Sequence, residues 1–200
     1  YSSELKKAYT TFNQAMIRFT DDSGCTGDLV CALNGFAPSD WKLYNAFGYA
    51  IKNYFNAADF CEVNTTNGVK AQGCFTTTLG YYYNGADPTK AANDYDKSSF
   101  RFSTLDGAAF RIYVTKSCSN TSKLGNGPLS QNCGGVLIDV NGPAKGPNDM
   151  GKDCFNFYLS NGKGPLLYPM GGDDDNSATN NLTTHPCNST DTFGWTCAAR

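Results

Sequence analysis

Between Gly134 and Ser160 the chain reads as two short strands separated by a connection that neither a helix nor an unbroken strand would tolerate. Val136, Ile138 and Val140 alternate with Leu137 and Asp139, and Phe155, Phe157 and Leu159 alternate with Asn156 and Tyr158. This is the period of two that sends successive side chains to opposite faces of a sheet. Between the flanks lie Asn141-Gly142-Pro143, Gly146-Pro147-Asn148 and Gly151, a density of turn formers that predicts an ordered, turn-rich loop. Any fold for this chain must bring the two strands together around that loop.

Upstream the apolar period changes. Leu5, Ala8, Tyr9, Phe12, Ala15, Met16 and Phe19 follow the i, i+3, i+4, i+7 spacing of an amphipathic helix over about residues 3–22. Asp21-Asp22-Ser23-Gly24 ends it, with Gly24 suited to a left-handed cap. At the start, Ser2 or Ser3 can cap, but no capping box follows. The Leu5, Phe12, Met16 and Phe19 face is expected to pack on an antiparallel sheet containing residues 135–141 and 153–160. Residues 25–37 read as irregular or as one helical turn. Ser39-Asp40 then opens a second helix whose apolar face, Trp41, Tyr44, Phe47, Ile51, Tyr54, Phe55 and Ala58, reaches to near Phe60. Phe100 and Phe102, then Phe110, Ile112 and Val114, flank Leu105-Asp106-Gly107 as a hairpin. Pro165 to Tyr168 is a further short strand. The whole predicts an α+β domain spanning 1–200, with a helix in 1–24, a helix and loop region in 25–97, and a sheet with a C-terminal disulfide loop in 98–200.

Composition narrows the function classes. The net charge is -2 and no Lys/Arg run exceeds Lys6-Lys7, so no basic stripe is available to neutralise phosphates and nucleic acid is not an expected partner. Nine cysteines accompany a single histidine, and no two cysteines are spaced Cys-x-x-Cys, which weighs against structural zinc and for disulfides in an oxidising compartment. The chain holds neither a signal peptide nor an apolar run of membrane-spanning length. Four Asn-x-Ser/Thr sequons, at Asn64, Asn120, Asn181 and Asn188, carry little weight, because roughly three would arise by chance in so Asn- and Ser/Thr-rich a sequence.

No catalytic constellation emerges, and an enzyme is not expected. His185 lies in Thr-Thr-His-Pro with no nucleophile or metal motif around it, and Cys154 lies within a strand pattern and lacks a histidine partner nearby. The residues with most chemistry are Asp139, Asn141, Asn148, Asp149 and Asp153, which place hard oxygen ligands suited to calcium around one loop. Asp173-Asp174-Asp175 form a second acidic cluster. The first spacing is not that of an EF-hand, and Asx residues commonly cap their own turns instead. No other cofactor is expected.

The pattern Ile138-Asp139-Val140-Asn141-Gly142, Gly146-Pro147-Asn148, Gly151, Asp153 and Phe155-x-Phe157 resembles the β-region of a group of bacterial type IV pilin-like proteins. Leu5-Lys6-Lys7-Ala8-Tyr9 with Phe12-Asn13-Gln14-Ala15 is similar to the post-membrane part of the pilin helix. Gly194-Trp195-Thr196-Cys197-Ala198-Ala199 is similar to the Cys-containing end. The resemblance implies a structural subunit of a type IV pilus or a secretion pseudopilus, with other pilin or pseudopilin subunits as partners. It implies a bacterial cell-surface filament or periplasmic location, with inner-membrane anchoring through an apolar segment ahead of the helix. On that reading the intact product needs detergent as a monomer, whereas these 200 residues stay soluble and monomeric. A helix before a cysteine, as in that group, points to Cys61, with Cys74 as its partner. Local closure adds Cys118 with Cys133, Cys187 with Cys197, and Cys25 with Cys31, leaving Cys154 over as a buried thiol beside Phe155. The alternative of another class is a secreted, disulfide-stapled module that binds glycans or a host surface through Tyr81, Tyr82 and Tyr83. A third is a secreted hydrolase using carboxylates.

Overall fold

The computed structural model describes residues 1–36, 40–62, 99–118, 131–147, 151–161 and 166–169. Helix α1 spans Ser2–Asp22, α2 Leu29–Asn34 and α3 Asp40–Lys52. Strands follow as β1 Ala57–Cys61, β2 Phe100–Thr104, β3 Ala109–Val114, β4 Asn132–Asp139, β5 Cys154–Ser160 and β6 Leu166–Pro169. Each strand pairs antiparallel with its neighbour in sequence, so the six form a meander in the order β1 to β6. The class is α+β.

The period-3.6 stripe of α1 is the face it buries: Leu5, Ala8, Phe12, Ala15, Met16 and Phe19 are all in the core. The ring of Phe12 meets Phe55 and Phe110, Phe19 meets Phe36 and Phe47, and Tyr9 meets Phe157. Full burial of such side chains contributes about 1.5–3 kcal/mol each. The helix stops where Ser23 returns both its N–H and its hydroxyl to Phe19 O, and Gly24 turns away at φ +70°. A polar face remains outside, interrupted by exposed Ile17.

From β4 and β5, Val136, Ile138, Val140, Phe155, Phe157 and Leu159 join this core. Among the described residues β6 is an outer strand of the sheet. Beside β6, Tyr9 Oη donates to Leu167 O at 2.9 Å and Asn13 Oδ1 accepts from Leu167 N at 3.0 Å. Two α1 side chains thus satisfy backbone groups that an edge strand would leave open.

The expected second helix is shorter than its apolar pattern. It ends at Lys52, and the segment towards Phe60 forms a turn and then β1, with a register irregularity between Ala57 and Asp59. Phe55 leaves the helical track to set its ring at a tilt against Phe12, Phe102 and Phe110, while Phe60 is half exposed. Pairing with β2 outweighs the local helical period, whose only visible interruptions are Asn53 and Asn56. The proposed cap Ser39 lies outside the described residues.

Two glycines permit close approaches. At Gly48 in α3 a Cβ would come within 2.1 Å of the Phe100 ring, so its absence lets the helix settle on β2. At Gly134, with φ +147°, a Cβ would come within 2.1 Å of Tyr113 O. This glycine marks the β4 irregularity beside Asn132 and allows β3 and β4 to pair there.

Candidate functional site

The loop leaving β4 is built by Asp139. Its carboxyl Oδ1 accepts the N–H groups of Asn141 at 3.2 Å and Gly142 at 2.8 Å, a self-capped turn of the Asx kind. Gly142 has φ +84° and abuts Gly107 O, so the loop rests on the β2–β3 turn. The N–H of Val140 donates to Asp153 O at 2.9 Å, closing the loop one position before Asp139 pairs with Cys154. From Asn141, Nδ2 donates to Gly146 O at 3.3 Å.

The structure therefore places Asp139, Asn141 and Asp153 at one end of the β4–β5 pair, with Asp139 and Asp153 fully buried. One Asp139 oxygen is committed to backbone capping, and Asn141 directs Nδ2 to Gly146 O within the loop and to Tyr1 Oη at the start of α1. Asn148 and Asp149, the other two proposed oxygen ligands, lie outside the described residues, as do Asp173, Asp174 and Asp175. Among the described residues no group of three or more His, Cys, Asp or Glu side chains is arranged to hold a metal ion.

Cys25 is bonded to Cys31, and Cys118 to Cys133, the latter clipping the end of β3 to the start of β4. Cys61 is also disulfide-bonded, while Cys74, Cys187 and Cys197 lie outside the described residues. Cys154 is a fully buried thiol at the head of β5, a position that offers no approach to a substrate. Tyr81, Tyr82, Tyr83, His185 and the Gly194–Ala199 stretch also lie outside the described residues.

A second polar cluster has no counterpart in the sequence motifs. Asp28 caps α2, its Oδ1 accepting from Cys31 N at 3.1 Å and from Asn161 Nδ2 at 3.0 Å. Asn161 in turn accepts Leu29 N at Oδ1, 2.7 Å away, and bonds Gln131 through both its backbone N–H and Nδ2. The Cys31 N–H, and after it the Asn161 amide, hold the Asp28 carboxyl below its ordinary range. Asn161 follows β5 directly, so this cluster clamps the start of α2 to the sheet. Its partners are more than 130 residues apart in the chain, and only Asp28 preceding an apolar Leu-Val run signals a cap locally.

In comparison with known proteins, no family model, no curated protein and no solved structure matches this chain.

The sheet face away from the helices carries several buried polar side chains, with Leu137 among them and with Tyr113, Asn156 and Tyr158 half-buried. Arg101 on β2 and Arg111 on β3 stand opposite one another in register, both buried, and Arg111 Nε donates to the Ser99 hydroxyl at 3.0 Å. Asp139, Cys154 and Ser160 are buried beside them in the sheet. Among the described residues, no helix is long and apolar enough to cross a membrane.

Proposed function

We propose that this chain is the globular head of a type IV pilin-like or pseudopilin subunit, whose work is to pack with further copies or related subunits into a bacterial surface or periplasmic filament. The observation that carries the reading is the 21-residue amphipathic α1 laid on an antiparallel meander, joined to the resemblance borne by 138–157, by Leu5–Ala15 and by Gly194–Ala199. In such a subunit the helix is a brace: its inward face fixes the head, and its polar outward face lies towards neighbours. Here the brace is tied at several points. Lys7 bridges to Asp106 at the β2–β3 turn, Tyr9 and Asn13 hold β6, and Tyr54 Oη donates to Asp22 at 2.6 Å. In the proposal, the apolar segment that the family carries ahead of this helix anchors the precursor in the inner membrane and later lines the filament.

The test is immunolabelling. Antibodies raised against the 200-residue head should decorate filaments on intact or osmotically opened cells of the source organism, and the label should vanish when the gene is deleted. Label dispersed through the culture medium on unassembled protein would instead favour the secreted binding module.

A further inference from the structure

We propose that Cys25–Cys31 is a redox-sensitive clasp, opened by a dithiol under native conditions, which releases the start of α2 from the sheet while leaving the sheet intact. Accessibility separates it from Cys118–Cys133. Cys31 is exposed and Cys25 half-buried, whereas Cys118 and Cys133 are both in the core. Thiol–disulfide exchange needs an attacking thiolate to reach a sulfur along an open path, so the exposed bond is the labile one.

The clasp encloses the element it controls. Asp28 lies inside the loop closed by the disulfide, its N–H bonded to Cys25 O at 2.8 Å and its carboxylate to Cys31 N at 3.1 Å. The same carboxylate receives Asn161 Nδ2, and Asn161 Oδ1 receives Leu29 N. Both cysteines therefore hold the group through which α2 is tied to the end of β5. With the disulfide closed, the loop returns Asp28 to Asn161. With it open, the loop around Asp28 loses its covalent closure, so the hydrogen bonds to Asn161 and the burial of Leu29, Ala32 and Leu33 must hold a segment with more conformational freedom, and a six-residue helix has little stability of its own in water.

The chemistry balances with a dithiol as co-reactant. Its thiolate attacks Cys31 Sγ, the Cys25–Cys31 bond breaks, and Cys25 leaves as a thiolate that takes up a proton. The second thiol of the reductant then displaces Cys31, so the protein gains two electrons and two protons and the reductant becomes a disulfide.

The experiment uses the folded protein, dithiothreitol in limiting amounts, alkylation with an isotopically marked reagent, and peptide mass spectrometry. Cys25 and Cys31 should acquire label at least about tenfold faster than Cys118 and Cys133. In the protein so reduced, hydrogen exchange should show Leu29 losing amide protection by about tenfold or more, while amides of the β3–β4 ladder keep theirs. The Cys25→Ser/Cys31→Ser variant should show the same exchange pattern without any reductant. Equal or faster labelling of Cys118 and Cys133 overturns the proposal. Unchanged Leu29 protection in both the reduced protein and the variant also overturns it, as does a loss of protection that spreads through the β3–β4 ladder.

Discussion

Gly134→Ala probes the packing between β3 and β4 at its tightest point. The new Cβ would lie 2.1 Å from Tyr113 O, 2.9 Å from Val114 Cα and 3.0 Å from Tyr113 C, all of them backbone atoms that cannot swing aside. Restoring an ordinary contact of 3.4 Å requires the strands to part by about 1.3 Å. A separation of that size takes the neighbouring bond from Thr115 N to Cys133 O, now 2.7 Å, well beyond hydrogen-bond range. The strained φ of +147° adds about 1–3 kcal/mol for an alanine. Each ladder bond lost adds about 1 kcal/mol. Peeling the strands apart is restricted, because Cys133 beside Gly134 is clipped to Cys118. The expected loss is about 3–5 kcal/mol, read as a lower urea midpoint at unchanged slope. Gly35→Ala is the control: its Cβ meets only Ala32 O at 3.7 Å, and its effect should lie between neutral and about 1 kcal/mol stabilising. A Gly134→Ala protein within about 1 kcal/mol of the parent would refute the reasoning.

Gly48→Ala drives a Cβ to 2.1–2.4 Å from the buried Phe100 ring and should cost about 1–3 kcal/mol in a thermal melt, with part recovered when Phe100 is also changed to Leu. Asn161→Asp keeps an acceptor for Leu29 N but sets a carboxylate against Asp28 in place of the Nδ2 donor; at pH 7 it should cost about 1–2 kcal/mol, moderated by solvent at this exposed pair. In the parent, Asp28 has a folded pKa below the ordinary 3.8, so its contribution is present above that value and is lost as pH falls through the lower folded one. In the variant the two carboxylates repel. Its deficit should therefore shrink as acid neutralises them, and Asp28→Asn added to Asn161→Asp should recover much of the loss at pH 7, both checked by denaturant titration.

How far residue patterns reach is visible element by element. α1, the 100–114 hairpin and the two strands around the turn-rich loop were legible because each carries its period unbroken, with Gly or Asp at the ends. The α3 boundary was not. The apolar spacing through Phe47, Ile51, Phe55 and Ala58 continues a helix on paper, and only pairing with β2, some 40 residues downstream, makes Ala57–Cys61 a strand. At the candidate sites the reach is shorter still. Asp139 attracts notice as an acid among turn formers, yet which oxygen serves the backbone depends on the folded loop. Asp28 shows locally only as a helix cap and Asn161 carries no motif, since their meeting is made by the tertiary placement of α2 against β5. Arg101 and Arg111 look like the polar, solvent-facing half of a period-two strand, whereas both are buried in the folded chain.

The filament proposal is tested most directly by sedimentation of the complete gene product beside the 200-residue head, in the same buffer without detergent. The account predicts that the head sediments as a monomer at every concentration, whereas the complete product pellets with membranes or as filaments and is released by detergent. A complete product that leaves the cell as a dispersed monomer, with no apolar segment retained, would contradict it.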